Sequence, residues 1–270
     1  MLTYRKQLKK HFIDVLGLAE LEKNTYTGFY TTVTNFSSDL MGFDNLQAGA
    51  LRPWEGTGSY YEEPHLVSFL GRVNYTYDDR YVLTVNARTD ASSKFGANHK
   101  WGFFPSVSAA WNVSSEQFMK QITWIDNLKL RLGYGLAGNQ GGIDSYTTMN
   151  LVRPNGVAPV GNSPVVTYET LRNINPDLKW EVKHTFNAGF DVGFYGNRLL
   201  LSVNYYNSKT TDMLYNYRVS VPPFTYNTLL ANIGSMRNSG TEISVGITPL
   251  KTKDMELNIN ANITFQRNKL

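Results

Sequence analysis

RYVLTVNARTD, residues Arg80 to Asp90, alternates along its whole length. Tyr81, Leu83, Val85, Ala87 and Thr89 fall on one face of an extended chain. Arg80, Thr84, Asn86, Arg88 and Asp90 fall on the other, with Val82 the exception. Successive side chains of a strand point to opposite sides, whereas helical periodicity would mix these two sets, so the stretch reads as a strand. Glu181 to Phe194 repeats the pattern: Val182, Phe186, Ala188, Phe190, Val192 and Phe194 share a face with His184 near its end. From Met255 to Gln266, Met255, Leu257, Ile259, Ala261, Ile263 and Phe265 oppose an unbroken polar set. Similar stretches near 9–21, 66–77, 103–113, 128–138, 198–212 and 240–248 bring the expectation to about nine strands. Several exceed the five or six residues common in globular sheets. Tilted strands of about nine to eleven residues or more are what a bilayer crossing requires.

Composition agrees with strands and turns. The 270 residues include 17 Tyr, 14 Phe and 22 Gly, a balance that favours sheets over helices. A formal net charge of +4, spread along the chain, gives no reason to expect nucleic-acid binding. The absence of cysteine removes disulfide scaffolds, thiolate-bound zinc and thiol catalysis together. No run approaches the roughly 20 apolar residues of a membrane helix. A mean hydropathy of −0.33 still permits a membrane barrel, whose strands are apolar only at alternate residues. MLTYRKQLKKHF at the start is basic but leads into no apolar segment, so it is not an export signal, and an exported chain without one is expected to be a fragment.

The connections alternate in length. Asp78-Asp79, Tyr195-Gly196-Asn197 and roughly Pro249 to Lys253 are short; 22–65, 91–102, 139–180 and 213–239 are long. Short turns on one rim and long loops on the other belong to outer-membrane barrels. Ser114 to Asn127 breaks the rule on the short side, with room for a helical turn and a capping box from Ser114 to Gln117. Aromatics gather at strand ends, among them Tyr75, Tyr77, Tyr81, Phe103, Trp111 and Trp124. Such rings suit a water–lipid boundary. A soluble β-sandwich also alternates, but its strands are shorter. The apolar faces of Arg80–Asp90, Glu181–Phe194 and Met255–Gln266 carry no Arg or Lys, each of which would cost about 2–4 kcal/mol at mid-bilayer. The fold class expected is therefore all-β: a partial, antiparallel transmembrane β-barrel.

Arg80 to Lys120 is specific enough to carry a resemblance. Arg88, Asp90, Ser92, Ser93, Phe95 and Gly96 form an R-x-D-x-S-S-x-F-G loop, and Trp101, Gly102, Phe104, Pro105 and Ser106 form W-G-x-F-P-S on the returning strand. The block resembles the SusC/RagA family of TonB-dependent outer-membrane transporters, with Ala91 where the family usually has Gly. LKLRLGYGLAGNQ (128–140), NPDLKWE (175–181), NRLLLSVNYYNSKTTDML (197–214) and NIGSMRNSGTEIS (232–244) follow in family order, and HFIDVLGLAE and SFLGRVNYTYDDRY precede it. The resemblance implies that residues 1–270 are part of a plugged barrel of about 22 strands, with the plug and N-terminal domains outside this chain. It also implies import of glycans or oligopeptides in the outer membrane, under a SusD-like lipoprotein lid, energised by TonB acting on the plug. No enzyme activity and no cofactor are implied. A passive barrel or adhesin, and a soluble carbohydrate-binding β-domain, are the competing readings.

Other motifs are weighed against plainer accounts. Gly133 to Gly138 satisfies G-x-G-x-x-G, yet no helical pattern follows to hold a pyrophosphate; Gly133 and Gly135 are expected on the inward face with Lys129 and Arg131. His11, His65, His99 and His184 lack metal-ligand spacing. Glu62-Glu63 and Asp78-Asp79 are sequence neighbours, which point apart in a strand or turn and do not make a glycosidase pair. Candidates for lumen or substrate contact are Arg88, Asp90, Lys94, Trp101, Asn139 and Gln140. For the charged members the preferred account is mutual pairing or pairing with a plug. Tyr60, Tyr61, Trp101, Tyr146, Tyr168, Tyr215, Tyr217 and Tyr226 lie in or beside the long loops, where rings stack on sugars, pack the loops themselves or anchor at the interface.

Overall fold

A computed structural model describes residues 1–40, 42–53 and 56–270. In chain order the strands are β1 (Leu2–Leu8), β2 (His11–Lys23), β3 (Tyr26–Thr31), β4 (Thr34–Phe36), β5 (Gly49–Leu51) and β6 (Thr57–Glu62). They continue with β7 (His65–Tyr77), β8 (Tyr81–Ser92), β9 (Trp101–Asn112), β10 (Ile125–Asn139), β11 (Val152–Val160) and β12 (Ser163–Thr170). The last six are β13 (Glu181–Phe194), β14 (Leu199–Thr211), β15 (Leu214–Arg218), β16 (Thr228–Asn232), β17 (Met236–Lys251) and β18 (Glu256–Lys269). Ten of them form one sheet in the order β1-β2-β7-β8-β9-β10-β13-β14-β17-β18. Every neighbouring pair is antiparallel, so the sheet is a meander interrupted only by loop hairpins. The nine strands after β1 run 12 to 16 residues. At ~3.3 Å per residue and a tilt near 40°, ten residues climb about 25 Å, the height of a barrel's apolar band.

Register makes the two faces continuous. Ile13, Tyr75, Leu83, Ala109, Leu132 and Ala188 are successive cross-strand partners. The row continues through Tyr205 and Thr241 to Phe265. Asp14, Asn74, Thr84 and Ser108 are partners on the opposite face, followed by Gly133, Asn187 and Tyr206. Leu83, Val85, Val107, Leu132, Ile259 and Ile263 remain exposed although apolar, which is costly in water and favourable against acyl chains. This is the partial barrel wall, with lipid on the apolar side.

The sheet has one strand more than expected. Leu2–Leu8 pairs with β2 through a turn at Lys9, whose φ is 52°. Lys6 interrupts its apolar face, which hid the period. At the short-turn rim, Asp78 and Asp79 both have positive φ, at 53° and 54°, at the centre of a tight turn closed by the Arg80 amide donating to the Tyr77 carbonyl at 3.0 Å. The Ser114–Asn127 connection does contain helical turns, at 113–115 and 117–121, but they are 3-10. The capping box is not formed: their caps are Asn112 and Glu116, with no side-chain cap bond, and Ser114 Oγ instead lies 3.5 Å from Asn127 Oδ1. Three of the four long connections are themselves built of hairpins, β3–β6, β4–β5, β11–β12 and β15–β16.

An aromatic belt marks the short-turn rim. Tyr77 stacks on Tyr81 at 6.4 Å, Tyr81 on Trp111 at 6.2 Å, and Trp124 on Phe194 at 5.6 Å. Glu116 ties this belt to its turn by accepting from Tyr81 Oη (2.7 Å), Trp111 Nε1 (3.2 Å) and Arg80 (3.1 Å). Those bonds, the tyrosine's first, hold its carboxyl below the usual range. At the other rim Phe69 stacks on Trp101 at 6.3 Å.

Candidate functional site at the long-loop mouth

Where the polar face meets the long loops, the loops fold over the sheet. Phe104, an inward residue of β9, is covered by Trp180, and with Phe95, Ile143 and Leu178 these form a buried cluster. Leu178 is 0% exposed. The NPDLKWE segment supplies both the apolar plug and its polar fastening. Trp180 Nε1 donates to the Lys100 carbonyl at 3.1 Å and Asn175 Nδ2 to the Leu230 carbonyl at 3.0 Å. Asn232 bonds the backbone of Lys179 in both directions, at 2.7 and 2.9 Å. Three loops are thus stitched together by the Trp180 indole and the Asn175 and Asn232 amides, each bonding backbone groups of another loop. Gly96 is required by closeness: a Cβ there would lie 2.1 Å from the Pro176 carbonyl oxygen.

Beneath this cover lies a groove of about 560 Å³ lined by Arg72, Asn86, Arg88, Asp90, Phe104, Asn139, Gln140 and Trp180. Four of the six candidate residues line it, and Lys94 lines a neighbouring groove that shares Leu66 and Gln140 with it. Arg88 Nε donates to both Asp90 oxygens, at 3.0 and 2.9 Å, and Arg88 Nη2 to Ser68 Oγ at 3.1 Å. Asp90 and Ser68 are buried, whereas the Arg88 side chain keeps 38% of its surface open toward the groove. Lys94 Nζ donates to the Ile143 carbonyl at 2.9 Å and so ties the β8–β9 loop to the cover. Asn139 donates to Glu181 at 2.7 Å, and Glu181 accepts in turn from the Leu214 amide. Gln140 differs: its side-chain oxygen is buried with no hydrogen-bond partner among the described residues.

Trp101 is separated from the other five. It pairs with Ala91 on the apolar face and is 59% exposed beside Phe69, at the outer boundary of the lipid band. The glycine-rich run Gly133–Gly138 lies inside β10, which continues to Asn139 with no helix opening after it. Gly133 and Gly135 oppose Ser108 and Ser106 on the face of Lys129 and Arg131.

One node escaped sequence reasoning. Glu63 accepts from Tyr61 Oη, from Lys23 Nζ at 2.9 Å and from His65 Nε2 at 3.0 Å, while its amide donates to Tyr146 Oη at 3.0 Å. Chiefly the Tyr61 bond, then Lys23, lowers its carboxyl to about 2. The only sequence signal was the same-side spacing of Tyr61, Glu63 and His65. Tyr226, from another loop, donates to the Thr170 carbonyl, whereas Tyr60, Tyr168 and Tyr215 leave their rings exposed.

Comparison with known proteins agrees with this architecture. Residues 4–269 match the family model described as TonB dependent receptor-like, beta-barrel. TonB-dependent receptor P3 of Formosa agariphila is 34% identical over all of this chain, which covers 26% of that relative. TonB-dependent receptor SusC of Bacteroides thetaiotaomicron is 35% identical over 80% of this chain and 23% of its own length. The chain therefore spans about a quarter of the curated relatives it matches. Among solved structures, the RagAB peptide importer in its closed-closed state superposes with a TM-score of 0.83, at 27% identity, over 98% of this chain and 29% of that one.

Proposed function

The chain belongs to the family of TonB-dependent receptor β-barrels, and from that premise we propose that it serves as wall, lumen lining and outer mouth of an energised outer-membrane importer of large nutrients. Glycans are the substrate class we favour and oligopeptides the second. A SusD-like surface lipoprotein acts as lid, and TonB acts through the plug of the intact protein. The observation that carries this reading is the stitched loop cover above a lipid-backed groove of mixed lining, where Arg72, Asn86, Arg88, Asp90 and Asn139 stand beside Leu66, Leu70 and Leu136. A passive wall needs no layer of loops fastened to one another across its mouth, whereas a capture chamber does.

In this reading Gln140 is the residue that takes ligand, because it lines the groove and its side-chain oxygen has no hydrogen-bond partner among the described residues. Lys94 and Asn139 hold the loops that present it. Arg88 and Asp90 satisfy each other and shape the wall. Exposed tyrosine rings at Tyr60, Tyr168 and Tyr215 offer flat apolar faces to sugar rings. Trp101 serves as a boundary anchor.

Uptake by cells carrying the intact protein tests the proposal. Growth on a glycan as sole carbon source, lost on deletion and lost again when TonB or the proton gradient is removed, is expected. Uptake that survives without TonB and without the gradient refutes energised import and favours a passive barrel. Growth on oligopeptides alone transfers the substrate assignment to the second class.

A further inference from the structure

The apolar face ends in a row of cations. Lys209 on β14 stands directly opposite Arg237 on β17, which stands directly opposite Lys269 on β18. Arg267, two residues before Lys269 on the same face, pairs with Ser239. On the other flank His184 of β13 is the partner of Lys209. All four Lys and Arg side chains are exposed. Like charges placed directly opposite one another in a sheet destabilise it. No outward position of β13, β14, β17 or β18 is a carboxylate, and none of the four has an ion pair among the described residues. Arg237 has only a neutral partner, Asn207 Oδ1 at 2.9 Å.

Three of the four share a height, and Lys269 stands two residues, about 5 Å, further along β18. Lys209, Arg237 and Arg267 each lie ten residues along their strands from an apolar residue at the short-turn rim, namely Leu199, Ile247 and Leu257. Ten residues of tilted strand climb about 25 Å, one apolar band. The cations therefore occupy the headgroup layer above the acyl chains on the long-loop side. Strand spacing of about 4.8 Å sets Lys209, Arg237 and Lys269 in a line about 10 Å long, matched to more than one phosphate.

We propose that this row is a binding site for phosphorylated lipid headgroups of the outer leaflet. The lipid phosphates supply the countercharge the sheet lacks, through charge-assisted bonds from Arg237 and Arg267 and point charges from the lysines. The acyl chains lie against Tyr205, Ile243, Ile263 and Phe265 below. The proposal rests on the outward orientation of this face.

Native mass spectrometry of the intact barrel in detergent, titrated with bisphosphorylated lipid A and with its dephosphorylated counterpart, tests it. The wild type is expected to retain the phosphorylated lipid selectively. Each cation removed is expected to weaken retention about fivefold, so Lys209→Gln with Arg237→Gln weakens it roughly 25-fold. Lys9→Gln with Lys253→Gln, at the opposite rim, leaves it unchanged, and Lys209→Arg preserves it. Equal retention by the double variant and the wild type, or equal binding of the dephosphorylated lipid, overturns the proposal. The first of those outcomes hands the row to a protein partner. Should the double variant fail to insert, wild-type retention that is insensitive to rising salt overturns it equally. A spin label at residue 243 separates the two readings. Water contact there refutes the lipid-facing wall itself, whereas acyl contact without phosphate selectivity refutes only the headgroup site.

Discussion

Replacing Ile243 by arginine isolates the physical claim that one side of this sheet meets lipid. Ile243 lies between Val203 and Ile263 on the apolar face, six residues from Arg237 and four from Ile247, close to the middle of the band. An arginine at mid-bilayer on a barrel's lipid face costs about 2–4 kcal/mol, which lowers the folded-to-unfolded ratio by roughly 30- to 1,000-fold. The neighbouring residue provides the control. Ser244 points the other way, between Ser202 and Asn262, with Glu242 on the same face and Asp191 beyond Ser202. An arginine there meets carboxylates and water, and a change within about 0.5 kcal/mol is expected. Urea titration of the intact barrel in liposomes, read by the heat-dependent electrophoretic shift of folded barrels, measures both. Comparable losses from Ile243→Arg and Ser244→Arg, or a larger loss from the latter, would refute the assignment of faces.

Leu178→Ala empties the centre of the loop cluster and is expected to cost about 2–5 kcal/mol locally. Hydrogen exchange should then quicken across 140–180 while β13 and β14 stay protected; uniform protection contradicts the cluster's role. Gly96→Ala forces a Cβ against the Pro176 carbonyl, 2.1 Å away, so limited proteolysis is expected to open 93–100 and 175–180 together. Cleavage confined to one segment means they are not clamped. The Glu63 carboxyl, lowered to about 2 by Tyr61 and then Lys23, stabilises the loop base fully above its ordinary value near 4.5. That contribution is lost as pH falls through about 2. Spin-label mobility on β3 and β6 should rise between pH 4.5 and 2 in the wild type and stay flat in Glu63→Gln.

Alternation by itself determined the fold class, because the side-chain period of a strand is a local property and a membrane wall exposes it strand after strand. Arg80–Asp90 and Met255–Gln266 were legible for that reason, and so was the pairing of Arg88 with Asp90, two residues apart on one face. Leu2–Leu8 was not legible. With Lys6 on its apolar face and only seven residues, it is a strand because β2 completes its hydrogen bonds. Trp101 shows the same limit at the site: reading it as a loop residue put it near the ligand. Pairing with Ala91 instead extends β9 to include it and turns its ring toward lipid. The Glu63 node, the clamp of Pro176 over Gly96 and the burial of the Gln140 oxygen without a partner among the described residues depend on which loops fold over which strands. The cationic row depends on something further, the register of β14, β17 and β18. Register is set by hydrogen bonds between neighbouring strands, and the period of any one strand carries no record of it.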